Sequence, residues 1–372
     1  MSTTNQNWIE HPGFYLKEEM DERGWSQRDL AFILGVPEQA VNLILSGKRG
    51  ISADMAQALG AAFDVHPDLF ANLQRDYDMA QAKQPKPDVA LLGKMHVNYP
   101  VREMVNRGWL VKSTAVMLEQ QLVKFFEVAT AEEIPYMPHA AKKSRYEENN
   151  IPPAQLAWLF RVRQIAKSIS VPKYSEKTLR DALNEMHRLM INPEDTRHVP
   201  KLLMGAGIRF ILVEKLPNSK IDGVCFWLDG ESPVIGMSTQ RDTIDNFWFV
   251  IRHEIEHVLR KHGRKNEIID SDLQGDQLNE SEEERVANAA AAEFCVTDKF
   301  NSFMTRKKPL YYERDVLAFA GIIQRHPGIV VGQMQRRLKN YAYLTRYLAK
   351  IRQSVLSGAI SDGWGQVIPL SL

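Results

Sequence analysis

The 372-residue sequence has little cysteine, no long apolar run and almost no net charge. Its two cysteines, Cys225 and Cys295, lie far apart without a CxxC or other paired spacing, so we expect both to be reduced and buried. No apolar run approaches the ~18 residues that a membrane span needs. The start MSTTNQNWIE lacks the basic and apolar regions of a signal peptide. We therefore expect a cytoplasmic protein without a membrane partner.

The charge balance and the length limit the function classes and the domain count. A formal net charge of +1 gives no global reason to expect nucleic acid, a membrane or an acidic substrate, so any such binding must come from a local patch. A chain of 372 residues exceeds what one hydrophobic core usually supports. Two or three domains are therefore expected.

The patterning predicts a mainly α protein with a small antiparallel sheet (α+β). Ser26 with Asp29 predicts a helix start, Gly35 predicts its end, and similar signals give five short helices before residue 80. The expected regions are a five-helix domain at 1–80, a linker at 81–98, a helical middle region at 99–199, a sheet-and-helix domain at 200–300 and a helical extension at 301–372.

Strand-like alternation begins after residue 200. The segments are IRFILVE, VCFWL after the Asp222-Gly223 pair, and PVIGMS after a polar turn. Two helices follow, one holding FWFVIRHEIEHVLRKH and one holding VANAAAAEFCV. The chemistry of the chain is concentrated in these helices.

The segment HEIEH predicts a zinc site. His253 and His257 are four residues apart, so both face one side of a helix and can bind one ion through their ring nitrogens. Glu254 is offset by about 100° around the axis, toward the open coordination position, where it can take a proton from water. This pattern is typical of a metallopeptidase, with Zn²⁺ as cofactor and Glu254 as general base.

Zinc needs a third protein ligand. His262 does not fit the HExxHxxGxxH pattern and is expected to be exposed. Glu284 is the better candidate, because it begins a helix whose small residues allow close packing, and Glu283 is the fallback. Glu284 also completes an S-x-x-E capping box with Ser281, so a capping role is the alternative.

Three further features near this site suggest roles. Asn288, one turn after Glu284, either hydrogen-bonds a ligand or faces solvent. The strand at 234–237 either exposes an edge that pairs with an extended peptide substrate or is fully covered. A peptidase also needs an oxyanion donor, for which the candidates are Tyr311, Tyr312 and His326.

The segment from Arg23 to Ser52 predicts a helix-turn-helix. Its second helix carries Glu38, Gln39 and Asn42 on the outer face, and Gln and Asn can pair with adenine. Lys48 and Arg49 can hold phosphates. However, residues 1–80 contain twelve acidic side chains and six basic ones, so operator binding would depend on local patches of a homodimer, or the module is a protein-interaction domain.

The chain resembles two families. Residues 1–80, with HPGFYLKEEMDERGWSQRDLAFILGV and SGKRGIS, resemble the HigA antitoxin branch of the Xre helix-turn-helix proteins. GAGIRFILVEKLPNSKIDGVCFWL, DNFWFVIRHEIEHVL, ERVANAAAAEFCV and HPGIVVGQMQ resemble the ImmA/IrrE metallo-endopeptidases in their helix-turn-helix-fused form. The resemblance makes 200–300 a zincin-like metallopeptidase domain.

The resemblance also implies ligands and a substrate. It implies zinc on His253, His257 and Glu284, Glu254 as catalyst, and a protein substrate such as a helix-turn-helix repressor in stress or mobile-element control. The run VANAAAAEFCV departs from the family pattern EANxFAxxLLMP, which alters the pocket wall. Because regulator and peptidase share one chain, three alternatives stay open: the substrate is a separate protein, it is the chain itself, or there is none.

Two function classes follow from these features. The first is a DNA-binding regulator fused to a zinc endopeptidase that cleaves a protein partner. The second is an antitoxin-like DNA-binding regulator with a toxin partner, in which the zincin domain is a non-proteolytic sensor or scaffold. The two differ in whether Glu254 supports proteolysis.

Overall fold

The computed structural model describes residues 9–131, 133, 152–264, 268–271 and 282–369. The chain forms two compact units, Met1–Lys86 and Pro87–Leu372. Helices make up most of the described residues, which confirms the mainly α class. None of the helices described is long and apolar enough to cross a membrane.

The described part of the first unit is a bundle of five helices, as the sequence predicts. The Ser26 side chain accepts a hydrogen bond from the Asp29 amide, and Asp29 accepts one from the Ser26 amide, so a capping box begins the second helix. Gly35 ends that helix with a φ of 65°. The helices are α1 (Pro12–Glu22), α2 (Gln27–Leu34), α3 (Glu38–Leu45), α4 (Ala53–Phe63) and α5 (Asp68–Gln81).

The second unit begins with helices where the sequence predicted a longer linker. The expected linker at 81–98 is corrected to 82–87, because α6 already begins at Asp88 and buries Met95 against the neighbouring helices. The helices up to the sheet are α6 (Asp88–Asn98), α7 (Val101–Asn106), α8 (Ala115–Phe125), α9 (Pro153–Ser168), α10 (Glu176–Leu189) and α11 (Val199–Gly205).

The sheet has five described strands in the order β4-β2-β3-β1-β5. They are β1 (Arg209–Val213), β2 (Ile221–Trp227), β3 (Pro233–Met237), β4 (Ile268–Ser271) and β5 (Ile360–Asp362). β2 runs antiparallel to β3 and β4, but β1 runs parallel to β3 and β5. The antiparallel sheet predicted from the sequence is therefore a mixed sheet, because β3 lies between β1 and β2 instead of following a β1–β2 hairpin.

Both faces of this sheet are covered. Along β1, Phe210 and Leu212 belong to one hydrophobic core, whereas Ile211 and Val213 belong to a second core on the opposite face. This alternation is what a strand buried on both faces requires. α9 packs on the second face, and the helix that carries HEIEH packs on the first.

The remaining helices pack around the first core. They are α12 (Ile244–Leu259), α13 (Glu282–Val296), α14 (Lys299–Lys307), α15 (Glu313–Ile322), α16 (Pro327–Leu338) and α17 (Arg352–Leu356). α12 contacts α13, α16 and β2. The C-terminal region expected to be wholly helical also supplies β5, whose three residues are too short for an alternation signal.

Candidate metal centre

α12 brings the two histidines together. The helix is apolar on several sides, with Phe247, Trp248 and Ile251 buried in the core, so it lies inside the protein. His253 and His257 are each 0% exposed, and their Nε2 atoms lie 3.0 Å apart. Two imidazoles with facing nitrogens in a dry interior need a shared partner.

α13 brings a carboxylate to the same point. Oε2 of Glu284 lies 3.3 Å from Nε2 of His253, and Oε1 lies 3.6 Å from Nε2 of His257. Ala287 and Ala291 are fully buried where α13 faces the core, and their small side chains allow a close approach to α12. Among the described residues, His253, His257 and Glu284 form the one cluster suited to a metal ion.

Two alternatives from the sequence have different outcomes. Glu283, the fallback ligand, is not part of the cluster found among the described residues. Ser281, whose cap would compete for Glu284, lies outside the described residues. The Glu284 carboxylate itself faces the two imidazoles.

The donor groups of the three residues suit a tetrahedral zinc ion, with one oxygen of Glu284 near each imidazole. Bonds of about 2.0–2.1 Å at tetrahedral angles place neighbouring ligand atoms about 3.3 Å apart. The separations here are 3.0, 3.3 and 3.6 Å. Two imidazoles and one carboxylate also form one of the ligand sets that catalytic zinc sites use, with a fourth position open.

The other ring nitrogens of the histidines have partners of their own. Nδ1 of His253 lies 3.0 Å from Oδ1 of Asn288, and Nδ1 of His257 lies 3.0 Å from Nδ1 of His262. Asn288 Oδ1 can only accept, so His253 carries its proton on Nδ1, which leaves Nε2 for a metal. Of the two roles open for Asn288, the structure has the hydrogen bond to a histidine.

His262 is a correction to the sequence prediction. It was expected to be exposed on the last turn of the helix, but α12 ends at Leu259 and Lys261 has a φ of 59°. This left-handed residue turns the chain back, and the His262 amide donates to the His257 carbonyl at 2.9 Å. The half-buried His262 ring therefore contacts His257, a placement that spacing along an ideal helix does not reveal.

Glu254 is buried against β2. Its residue is 0% exposed, and a Cβ placed on Gly223 would lie 2.0 Å from Oε1 of Glu254. Only glycine leaves room for the carboxylate there. The strand predicted from the sequence begins after Gly223, but this glycine lies inside β2, at a register irregularity opposite β4.

Of the two alternatives left open for the strand at 234–237, the structure has the covered strand. It belongs to β3, which pairs with β1 on one side and β2 on the other. The outer strands of the described sheet are β4 and β5. Of these, β4 pairs with β2, the strand that contacts Glu254.

The oxyanion candidates make contacts elsewhere. The Tyr311 hydroxyl donates to the Met304 carbonyl, and Nδ1 of His326 accepts from the Gly328 amide at the start of α16. Tyr312 is exposed just before α15. In the described part of the chain, none of the three belongs to the metal cluster.

The first unit places its five predicted DNA contacts on the surface. Glu38, Gln39 and Asn42 are exposed on α3, and Lys48 and Arg49 are exposed in the loop after it. Glu38 also accepts a hydrogen bond from Arg28 on α2 at 3.3 Å, which reduces its availability to another partner.

Family models match both parts of the chain. The helix-turn-helix model matches residues 16–70. The M78 peptidase model, described as the IrrE N-terminal-like domain, matches residues 206–323. The second match contains His253, Glu254, His257 and Glu284.

Several known proteins are similar to parts of this chain. Virulence-associated protein A' of Dichelobacter nodosus is 34% identical over 105 residues, which are 28% of this chain and 87% of that protein. Virulence-associated protein I of the same organism is 35% identical over 83 residues, covering 22% and 77%. The uncharacterized HTH-type transcriptional regulator YddM of Escherichia coli strain K12 is 27% identical over 73 residues, covering 20% and 78%.

A solved structure also resembles part of the chain. An addiction module antidote protein of a HigA family from Coxiella burnetii is 30% identical, with a TM-score of 0.19, and the match covers 26% of this chain and 92% of that one. From the family models and the virulence-associated relatives, the chain belongs to the Xre-like helix-turn-helix proteins at residues 16–70 and carries an IrrE-like M78 peptidase domain at residues 206–323 of the same polypeptide.

Proposed function

We propose that this chain is a DNA-binding transcriptional regulator fused to a zinc-dependent endopeptidase that cleaves a protein partner. The observation that carries the proposal is the meeting of His253, His257 and Glu284 beside the buried carboxylate of Glu254. These four side chains supply a metal-binding set from α12 and α13 and a base on an adjacent face of α12.

The residues have separate tasks. His253, His257 and Glu284 would hold the ion, and Asn288 and His262 would fix the ring protons of the two histidines on Nδ1. When bound, zinc supplies a Lewis acid that polarises the peptide carbonyl and lowers the pKa of water. Glu254 accepts a proton from the attacking water and donates it to the leaving amine nitrogen.

The burial of Glu254 favours a peptidase over a non-proteolytic scaffold. A scaffold or sensor needs the ligands, but it has no use for a second carboxylate. A fully buried Glu254, with a glycine opposite that makes room for it, is explained by proton transfer.

The first unit supports the regulatory half of the proposal. α3 presents Gln39 and Asn42 to solvent as a recognition helix would, and Lys48 and Arg49 follow it as phosphate contacts. A homodimer would present two such helices to neighbouring half-sites of an operator. The substrate would be a helix-turn-helix repressor or a second copy of this chain.

The test is proteolysis by zinc-loaded full-length protein. Candidate repressors and the chain itself are incubated with it, and new N-termini are identified by mass spectrometry. Glu254→Gln is expected to lose at least ~10³-fold in rate and to retain zinc. Glu185→Gln, an exposed glutamate on α10, is the matched control and is expected to cleave normally.

The outcomes separate the two function classes. Equal cleavage by wild type and Glu254→Gln would remove the peptidase proposal. Operator binding without any cleavage would instead support an antitoxin-like regulator, with a toxin as partner and the zincin domain as a scaffold.

A further inference from the structure

A cavity of about 880 Å³ lies between α10, α12 and α13, beside the metal cluster. Its walls include Arg180 from α10, Arg252 and Glu256 from α12, and Arg285 from α13. Cavities of this volume are typical of sites for small molecules. The roles that we propose for the metal-site residues do not involve this cavity.

The cavity is rich in arginine. Among the residues that the structure describes, four arginines line it, because Arg260 joins the three named above, and the acidic side chains are Glu256 and Glu293. The formal charge of this described lining is therefore positive, although Arg180 and Arg285 also pair with Glu176 and Glu282 outside it. A concave wall of one charge sign concentrates the field and attracts ions of the opposite sign.

The part of the lining that α12 contributes contains an arginine–glutamate–arginine group. Nη2 of Arg252 donates to Glu256 at 2.8 Å, and Nε of Arg260 donates to the other oxygen at 2.7 Å. One carboxylate thus serves two guanidinium groups, which together carry one unbalanced positive charge.

Donors remain after Glu256 is satisfied. A guanidinium group has five N–H donors. Arg252 is only 13% exposed, and its Nη1 has no hydrogen-bond partner in the part of the chain that the structure describes. A buried guanidinium nitrogen without an acceptor is costly, so an anion that reached it would be favoured.

The arginines nearer to solvent can exchange their partners. Arg180 pairs with Glu176 at 2.8 Å and is 61% exposed, and Arg260 is 53% exposed. Exposed ion pairs of this kind contribute little free energy. Their guanidinium groups can therefore turn to a ligand at low cost, and planar guanidinium groups bind phosphoryl and carboxylate oxygens in pairs.

We infer that this cavity binds a small polyanion that carries two or more phosphoryl or carboxylate groups. Arg252 would hold the innermost anionic group, and Arg180 and Arg260 would hold the outer one. His262 also lines the cavity, and its Nδ1 lies 3.0 Å from Nδ1 of His257. The ligand would therefore lie one side chain away from a proposed zinc ligand, but its binding does not depend on zinc.

The experiment measures binding of pyrophosphate and of citrate to the zinc-free full-length protein by isothermal titration calorimetry. We expect saturable binding of at least one of them. Arg180→Gln and Arg260→Gln should each weaken it by about 10-fold or more, as expected for loss of a charge-assisted hydrogen bond. Arg188→Gln, an exposed arginine of α10 outside the cavity, is the matched control and should bind normally.

Comparing the two ligands identifies the chemical class of the anion. Binding of pyrophosphate alone assigns a phosphorylated ligand, and binding of citrate alone assigns a carboxylate. The inference is overturned if neither binds, or if the cavity variants and Arg188→Gln bind equally well. Unfolding midpoints without ligand should match the wild type, which shows that a lost affinity is not a lost fold.

Discussion

Gly223 on β2 and Glu254 on α12 occupy adjoining space, because a Cβ on the glycine would lie 2.0 Å from Oε1 of the glutamate. The clash extends inward, with Cδ of Glu254 at 2.9 Å and Cγ at 3.2 Å from the same point. The strand and the proposed general base therefore constrain each other, although they are separated by about thirty residues of sequence.

Replacing this glycine is expected to damage catalysis more than metal binding. In Gly223→Ala the added methyl must displace the Glu254 carboxylate, and a misplacement of about 1 Å costs roughly 100-fold in rate. Proteolysis and zinc content should be measured together. Gly205→Ala, at a helical glycine with nothing near its Cβ, is the control and should keep full activity. A normal rate in Gly223→Ala would contradict the close approach.

The partners of the two histidines should tune zinc affinity. His262→Ala removes the contact at Nδ1 of His257, and Asn288→Ala removes the one at Nδ1 of His253. Each loss should raise the zinc Kd by about 10- to 100-fold, since such partners orient the ligand rings. Competition with a chromogenic chelator measures this directly. His66→Ala, an exposed histidine of the first unit, should leave the Kd unchanged, and an unchanged Kd in His262→Ala would refute the predicted role of that ring.

His187 is expected to make stability sensitive to acid. Burial, together with the charges of Arg325 and Arg252, lowers the pKa of His187 to about 4. An unfolded histidine titrates near 6.5, so between these values the unfolded chain binds the extra proton and stability falls as the pH falls. Between pH 7 and pH 4, the free energy of unfolding should fall by about 1–2 kcal/mol less in His187→Gln than in the wild type. This difference is smaller than the full pKa shift implies, because the ring is only half-buried.

Urea unfolding at the two pH values tests the role of His187. The control is His198→Gln, since His198 is an exposed histidine of the same unit. If wild type, His187→Gln and His198→Gln all lose the same stability on acidification, His187 is not the group that titrates.

The surface of α3 should affect DNA binding in two distinguishable ways. Gln39→Ala and Asn42→Ala should each cost about 1–3 kcal/mol on the operator and relax its specificity. Lys48→Ala and Arg49→Ala should weaken binding to all sequences and lower the slope of log K against log salt by about one each. Arg75→Ala on α5, whose side chain pairs with Asp76, serves as the control in fluorescence anisotropy titrations. Identical salt slopes in all variants would oppose the phosphate role.

The sequence could predict the ligand pair because that pair is local. His253 and His257 share one helix, so their geometry follows from a 3.6-residue period. Glu284 was reached by a different argument, from the small residues of its helix and the resemblance to a family. His262 and Gly223 escaped prediction because their contacts depend on a left-handed turn at Lys261 and on the packing of a strand against a helix.

The sheet could also be predicted only in part from the sequence. Alternating apolar residues identify β1, β2 and β3 as strands, but they carry no information about which strands pair. Because β3 lies between β1 and β2, β1 has a parallel neighbour where the sequence predicted an antiparallel one. β5 was missed because three residues are too few for a periodic signal, although Asp362 forms a buried ion pair with Arg161 of α9.

The position of β5 determines when the sheet can be completed during synthesis. Ile211 of β1 pairs with Ile360, so the ribosome must translate almost the whole chain before this edge can form. The hydrophobic core of the helix-turn-helix unit lies entirely within the first 86 residues. A nascent chain therefore has a finished helix-turn-helix core long before the sheet behind the metal centre is complete. The helix-turn-helix unit is synthesised first, and the sheet of the proposed protease is completed last.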